Sequence, residues 1–375
     1  MRTELAVTNM LSTLPPWFMT GLSFVFGLVI GSFLNVVIHR VPRGQSIIGP
    51  GSSCPSCGEP IRYRHNIPVL SYLFLGGRCS RCQKRISAVY PVVELLTALL
   101  FSIIIWERGP TAQSFVELWF VSVMLALIFI DARHQLLPDA ITYPSIVLVL
   151  AATIFRWPVT SDLDPHLSMT PSEIGFSPWT TAFSGAAILL AAVPAFWVLD
   201  QLDVVLFSKY FDRSEEDQSD LPGSEDSHRY RRLIYASSAL GLALALAWMA
   251  AVLLYGAQNP EFYQGAFDRM FQATLGAITG GGILWVMRSA YFYLRGIEGL
   301  GLGDVKMMAV IGAFFHWQGA IQVLILGSII GLIVGLALVR GSGRGLKTRL
   351  PLGVCLGIAA ILILLLFDIG VLPPI

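Results

Sequence analysis

The sequence has few charged residues. Asp, Glu, Lys and Arg make up 13% of its 375 residues, whereas about a quarter is usual in a soluble domain. Hydrophobic residues make up 55%, and apolar runs of about 20 residues, long enough to cross a bilayer, recur along most of the chain. This composition excludes an ordinary soluble protein and predicts an all-α polytopic membrane protein.

The chain also lacks an excess of charge of either sign, and it has few cysteines. Its net charge of +1 argues against electrostatic binding of nucleic acid, so no nucleic-acid partner is expected. Five cysteines are too few for a disulfide scaffold, and their spacing is more informative than their number.

The apolar segments predict about ten transmembrane helices. The first is too long for a cleaved signal peptide, and His39, Arg40 and Arg43 follow it in place of a small-residue cleavage site, so we expect it to be retained. The ten predicted spans are 17–37, 89–106, 115–131, 139–157, 179–207, 233–256, 270–294, 305–317, 319–339 and 350–372.

The distribution of basic residues predicts the orientation, because cytoplasmic loops collect Lys and Arg. If both termini lie outside, 21 of the 25 Lys and Arg residues fall on the inner side, and only Arg2, Arg108, Arg156 and Arg269 fall outside. We therefore expect both termini outside and the loop 40–88 in the cytosol.

That loop contains two CxxC pairs with the spacing of a zinc site. Cys54 and Cys57 are followed by Cys79 and Cys82, and four thiolates form a closed tetrahedral site whose role is structural. The alternative, a pair of redox disulfides, needs an oxidising compartment, which the predicted cytosolic location disfavours. Cys355 lies alone in the last apolar segment and is expected to be a packing residue.

Two aspartates lie next to apolar segments, where an ionised carboxylate is energetically unfavourable. Asp131 ends an apolar run, and Asp304, in the stretch Gly301-Leu-Gly-Asp304, precedes another. The predicted topology places both at the cytosolic face, where two carboxylates that share a proton can activate water, as in aspartic proteases. The alternatives are a snorkelling helix-end charge for Asp131 and a helix N-cap for Asp304.

Four other polar residues have more than one interpretation. Asp139 is expected to be a helix-start residue, the alternative being a catalytic role. Lys306 is expected to be a helix-end lysine near anionic lipid, the alternative being a charge that lowers the pKa of Asp304. Asn35 and Glu94 lie inside apolar segments and have two interpretations. Either they line a cavity for a cofactor or substrate, or they are hydrogen-bond partners in helix packing.

In these motifs the chain resembles a known family, the type IV prepilin leader peptidases. Members of this family are also N-methyltransferases and belong to the GxGD class of intramembrane aspartic proteases. The resemblance covers about residues 20–157 and 270–355. Besides both CxxC pairs, the matching stretches are Gly31 to Arg40, Asn66 to Tyr72, Tyr90 to Glu94, Ile130 to Asp139 and Gly301 to Lys306.

The resemblance implies a membrane endopeptidase of the bacterial cytoplasmic membrane. Asp131 and Asp304 would be its catalytic pair, and the four cysteines its structural zinc ligands. Its substrates would be prepilins or pseudopilins, whose basic leader is removed at the cytosolic face. The new N-terminus would then be methylated with S-adenosylmethionine, and the zinc-braced loop would help to hold the leader.

The chain departs from the family pattern in two places. Residues 158–268 are expected to be an insertion with two extra helices around an acidic loop, 212–226. The seven acids and one base of this loop are typical of a disordered connector; the alternative is that the loop attracts the basic leader of a prepilin. In addition, Leu350-Pro-Leu-Gly-Val354 stands where the family tends to have Pro-Phe-Gly-Pro.

The predicted organisation is 1–38 (outer N-terminus and first helix), 39–88 (zinc domain), 89–157 (helices carrying Asp131), 158–268 (insertion) and 269–375 (helices carrying Asp304).

Two other functions remain as alternatives. A proton-coupled transporter also uses paired intramembrane carboxylates, but it favours repeated halves, and the sequence has no internal repeat. The other is a catalytically silent scaffold for secretion machinery. Cleavage of a purified prepilin separates the enzyme from both.

Overall fold

The computed structural model describes residues 14–54, 56–152, 188, 260–296, 299–342 and 351–368. Within these residues every regular element is helical, and β-pairing is limited to two isolated antiparallel bridges in the loop 40–88. The α-helices are α1 (Pro16–Arg40), α2 (Leu70–Phe74), α3 (Val89–Arg108), α4 (Ala112–His134), α5 (Asp139–Ala152), α6 (Pro260–Arg295), α7 (Leu302–Ser342) and α8 (Leu352–Asp368), with 3-10 turns at Val41–Arg43 and Tyr63–His65.

Five of the described helical segments are long and apolar enough to cross a membrane. They are Pro16–Arg43, Val89–Arg108, Ala112–His134, Arg269–Arg295 and Leu302–Ala337, and two shorter apolar helices are Asp139–Ala152 and Leu352–Leu366. The all-α membrane architecture is thus confirmed, whereas the total of ten spans stays a prediction. Some of the predicted segments lie outside the described residues. They are the span 233–256, the span 179–207 apart from residue 188, the acidic loop and most of the predicted insertion.

The chain divides into two compact units. The first consists of Met1–Pro138 and Gln322–Pro373, and the second of Asp139–Ile321 and the last two residues. In the first unit α1, α3 and α4 pack on one another, and α8 packs on α4. Their common core is apolar and aromatic, with Phe101 and Phe120 almost fully buried.

Two glycines allow α1 and α3 to pack at very short range. A β-carbon on Gly27 would lie 2.6 Å from the Cα of Ala98, and one on Gly31 would lie 2.6 Å from the Cα of Glu94. The two glycines are four residues apart and therefore share a helix face, as in the GxxxG contacts of membrane helices. Because the neighbouring atoms are backbone, no side-chain rotation makes room for a larger residue.

We therefore expect Gly31→Val to destabilise the first unit. The added side chain must push α1 away from α3, with an expected cost of about 2 kcal/mol, in the range found for overpacked cores. SDS-titrated unfolding of the purified protein measures this change. The matched control is Gly21→Ala, on the same helix, because a β-carbon at Gly21 meets no atom within 4 Å; equal losses in the two variants would contradict the prediction.

The second unit contains α5, α6 and the N-terminal part of α7, again with glycines at the contacts. A β-carbon on Gly280 would lie 2.6 Å from the carbonyl oxygen of Met308, and Gly276 and Gly312 touch backbone to backbone. Between its two helical stretches α7 has one non-helical residue, the buried His316, with φ 60° and ψ −174°. This residue lies next to the break that the sequence predicted between the spans 305–317 and 319–339.

Candidate functional site

The four cysteines of the two CxxC pairs come together in the loop between α1 and α3. The sulfur atoms of Cys54, Cys57, Cys79 and Cys82 all lie within 4.8 Å of one another, and none of them forms a disulfide. The Cys54 and Cys82 sulfurs are 3.9 Å apart. Since Zn–S bonds are about 2.3 Å long, sulfurs in a tetrahedral zinc site are roughly 3.8 Å apart, so the cluster fits a zinc ion.

The two pairs form nearly identical turns, 25 residues apart in sequence. In the first turn the N–H of Cys54 donates to the Glu59 carbonyl, and in the second the N–H of Cys79 donates to the Lys84 carbonyl, both at 3.0 Å. The residue after each pair has a positive φ, 71° at Gly58 and 58° at Gln83. Each turn is closed by one of the isolated β-bridges.

The second turn also favours a thiolate, the form that binds metal. The backbone N–H groups of Cys82 and Arg81 donate to the Cys79 sulfur and hold the pKa of its thiol at about 6. Across the cluster, the Arg81 guanidinium pairs with the Glu59 carboxylate at 3.1 Å. This pair is exposed, so we attribute little stability to it.

Asp131 lies at the end of α4 and its carboxylate faces the start of α8. The side chain is 5% exposed, and its Oδ2 accepts a hydrogen bond from the Val354 N–H at 3.0 Å. A β-carbon on Gly353 would lie 2.8 Å from the same oxygen. The first turn of a helix has unpaired N–H groups that bind an anionic oxygen, and the absence of a side chain at Gly353 lets the carboxylate reach them.

Asp304 lies in the first turn of α7, and the N–H of Asp304 donates to the Gly301 carbonyl at 3.2 Å. The loop before it is tied to α6: the Nε of the buried Arg288 donates to the Leu300 carbonyl at 3.0 Å. A β-carbon on Gly299 would lie 2.6 Å from the ring of Tyr291, so a larger residue there requires the ring to move. Sequence reasoning counted Arg288 only as an inner positive charge and missed this contact.

Lys306, two residues after Asp304, does not lie among lipid headgroups. It is 5% exposed, its Nζ donates to Oδ1 of Asp139 at 2.7 Å, and it stands 5.0 Å from the centre of the Tyr143 ring. The sequence expectation of a lipid-facing lysine was therefore wrong, because a carboxylate and an aromatic ring of α5 satisfy its charge inside the protein. Asp139 does begin α5, as expected.

We expect the contributions of Lys306 and Asp139 to the free energy of unfolding to be coupled. Lys306→Met leaves the Asp139 carboxylate without its ammonium partner, and Asp139→Asn does the converse, so each is expected to lower the free energy of unfolding by about 3 kcal/mol. The double variant is expected to lose clearly less than the sum of the two. SDS-titrated unfolding of all four proteins gives the coupling; strictly additive losses would contradict the ion pair.

Glu94 and Asn35 are buried in the first unit and hydrogen-bond to protein groups. The Asn35 amide donates to the Tyr90 carbonyl at 3.0 Å, and Oε2 of Glu94 accepts from the Val69 N–H at 2.7 Å. Ser32 and Asn35 also hydrogen-bond to the Glu94 carboxylate. Of the two sequence interpretations, these contacts favour hydrogen-bond partners in packing.

Two family models match the chain, and together they cover about half of it. Residues 25–108 match the bacterial peptidase A24 N-terminal domain, and residues 231–336 match the type IV leader peptidase family. The first match contains the cysteine cluster, and the second contains Arg288 and Asp304.

Curated relatives match along almost the whole length. A prepilin leader peptidase/N-methyltransferase of Aeromonas salmonicida is 28% identical over 378 residues, 94% of this chain and 92% of the relative. One from Pseudomonas aeruginosa is 27% identical, over 92% of this chain and 90% of the relative. One from Myxococcus xanthus is 46% identical over a shorter stretch of 139 residues, 37% of this chain and 41% of the relative. No solved structure matches.

Proposed function

Because the chain belongs to the type IV leader peptidase family, we propose that it is a membrane endopeptidase that removes the basic leader of prepilins and pseudopilins at the cytosolic face and then methylates the new N-terminus. The observation that carries this proposal is the match to prepilin leader peptidase/N-methyltransferases over 94% of the chain. Function as a proton-coupled transporter has no comparable support.

Asp131 and Asp304 are the catalytic pair in this proposal. One carboxylate is ionised and takes a proton from the attacking water, while the other is protonated and donates to the carbonyl oxygen of the peptide bond. The tetrahedral intermediate then collapses, and the leaving amine takes up a proton. The two aspartates act on the same peptide bond. Both are needed, because one must accept a proton from water while the other donates a proton to the carbonyl oxygen.

This chain's own backbone and side chains support each aspartate in that role. The Val354 N–H fixes the rotamer of the Asp131 carboxylate, and the absence of a side chain at Gly353 lets the carboxylate approach the start of α8. Arg288 fixes the loop that leads into Asp304. Preorganised geometry of this kind is what a reacting carboxylate requires, since small displacements of catalytic groups cost large factors in rate.

The cofactors have separate roles. Zinc, when bound by Cys54, Cys57, Cys79 and Cys82, supplies a closed structural cross-link, because four thiolates leave no coordination position for a substrate. The N-methyltransferase part of the relatives' names implies S-adenosylmethionine as the methyl donor. The residues described contain no strand followed by a glycine-rich loop, so no step through that cofactor is assigned to them.

We further propose that the protein lies in the bacterial cytoplasmic membrane with both termini outside, supported by the 21 of 25 Lys and Arg residues that fall on the inner side. The organisation that we propose keeps the divisions 1–38, 39–88, 89–157, 158–268 and 269–375.

The direct test is cleavage of a substrate by the purified protein. Incubation in detergent with a prepilin is expected to give a mobility shift of the size of the leader. A prepilin whose leader junction is altered is the control and is expected to remain intact. Failure to cleave any prepilin or pseudopilin offered, by protein that is folded and contains zinc, would overturn the proposal.

Arg288 offers a test of how the loop before Asp304 is positioned. Arg288→Gln is expected to lower kcat by roughly a hundredfold, because a displaced catalytic group loses rate on this scale, with little change in KM. Steady-state kinetics with a prepilin measure both constants. The control is Arg295→Gln, an exposed residue at the end of the same helix, which is expected to keep the parent kcat; an equal loss in both variants would argue against a positioning role.

A further inference from the structure

The loop between α1 and α3 exposes large apolar side chains outside the membrane-spanning segments. On the short helix α2, Leu70 is 49% exposed, Leu73 is 67% and Phe74 is 86%. Ile67, just before this helix, is 47% exposed. We call these four residues the apolar face. Such a cluster is unusual on a water-exposed surface and indicates a binding partner.

The attachment of this segment to α3 sets its position along the membrane normal. Val69, which lies between Ile67 and Leu70, donates its N–H to the Glu94 carboxylate at 2.7 Å. Glu94 is the sixth residue of α3, about 7.5 Å along the axis from the helix start. Since the 20 residues of α3 span about 30 Å, the thickness of a bilayer core, Val69, and with it the start of α2, is held close to the end at which α3 enters the membrane.

The contact to Glu94 also holds an unfavourable backbone conformation. Val69 has φ 59° and ψ −49°, and the Leu70 N–H donates to the Pro68 carbonyl, which together define a classic γ-turn, a rare and strained turn. A β-branched residue with positive φ persists only where surrounding contacts determine it. The buried carboxylate thus fixes both the place and the direction of the chain entering α2.

The same loop is strongly basic. Between residues 40 and 88 the sequence has eight Lys or Arg residues and a single acid, Glu59, so the loop stays positive even with the charge of four thiolates and a zinc ion included. Exposed apolar side chains within a basic segment are typical of segments that lie on anionic bilayers. This charge repels a basic leader peptide, so, in contrast to the sequence expectation that the loop helps to hold the leader, it favours lipid as the occupant of the apolar face.

The apolar face is connected directly to the cysteine cluster. The Gly77 N–H donates to the Tyr72 carbonyl at 2.8 Å, and the Ile86 N–H donates to the Gly77 carbonyl at 2.7 Å, so α2 continues into the turn that contains Cys79 and Cys82. A contact made by α2 therefore restrains the whole zinc domain.

We propose that the zinc domain docks on the anionic cytosolic surface of the bilayer through the apolar face of Ile67, Leu70, Leu73 and Phe74, and that Glu94 is the positioning residue that sets its depth. The occupant is lipid, at the boundary of headgroups and acyl chains. This inference concerns where the domain lies and does not depend on which peptide bond the protein cleaves.

Photocrosslinking in a bilayer tests the proposal. The full-length protein with p-benzoylphenylalanine at position 74 is placed in nanodiscs of phosphatidylethanolamine and phosphatidylglycerol, illuminated and digested, and the peptide containing position 74 is weighed. We expect a phospholipid adduct, with phosphatidylglycerol adducts above its share of the bilayer. The matched control is the same probe at Lys84, an exposed polar position of the zinc domain, where we expect several-fold less lipid.

A second arm tests the role of Glu94. Glu94→Ala is expected to lower the lipid adduct at position 74 several-fold while the zinc content remains at the parent level; Glu107→Ala, at the exposed other end of α3, is expected to change neither. The proposal is overturned if position 74 crosslinks to a second copy of the chain or to added prepilin in place of lipid, if no adduct forms, or if phosphatidylglycerol is not enriched. Cleavage activity is assayed separately, so failure here does not bear on the peptidase assignment.

Discussion

Asp131→Asn and Asp304→Asn are each expected to abolish prepilin cleavage. An amide neither takes a proton from water as a carboxylate does nor shares one with its partner, so either replacement removes the state that activates water. The loss in kcat is expected to be at least about a thousandfold, as for other catalytic carboxylates. Initial rates of leader removal by purified variants in detergent measure it, and the double variant is expected to be no worse than either single variant.

The control is Glu107→Gln, an exposed carboxylate at the end of α3, which is expected to retain full activity. Both aspartate variants are expected to insert into the membrane and to keep the parent zinc content, because neither residue belongs to the cysteine cluster. Appreciable cleavage by either of them would remove that residue from the catalytic pair.

Replacing one ligand of the cysteine cluster is expected to have the second large effect. Cys79→Ser leaves three thiolates, and because zinc binding and local folding are coupled, the zinc content is expected to fall from one ion per chain to nearly none. The loop 40–88 is then expected to become sensitive to proteases, while the membrane helices stay protected. Metal analysis and limited proteolysis of the purified protein measure these two changes.

The chain offers a matched control for this variant in its fifth cysteine. Cys355 is buried in α8, outside the cluster, and Cys355→Ala is expected to change neither zinc content nor protease sensitivity. Parent protein without zinc and with its four thiols paired in disulfides would contradict the cluster and the cytosolic location together.

Local sequence patterns were enough to predict several features. The two CxxC pairs specify the cluster because each forms its own turn, with ligands three residues apart, and only the approach of the two turns depends on the rest of the fold. The long helices α1, α3 and α4 follow from apolar runs of sufficient length. The change in α7 near His316 was anticipated by a short apolar segment next to a full-length one.

Contacts between distant parts of the sequence were not predictable in the same way. Lys306 and Asp139 are 167 residues apart, and each alone resembles an ordinary helix-end charge. The Val354 N–H that binds Asp131 belongs to a segment 223 residues away; its only local signal was Gly353, in the first turn of α8. The strained turn at Val69 has no sequence signature, because a β-branched residue is disfavoured there.

The closest test of the central claim is the intact mass of a prepilin after incubation with the purified protein and S-adenosylmethionine. The mass of the prepilin is expected to fall by that of the leader, as cleavage at the leader junction requires, and then to rise by that of one methyl group added to the new N-terminus. With Asp131→Asn or Asp304→Asn its mass is expected to stay unchanged. A prepilin that keeps its full mass with the parent protein, or that both aspartate variants still shorten, would contradict the assignment of this chain as an aspartic prepilin peptidase.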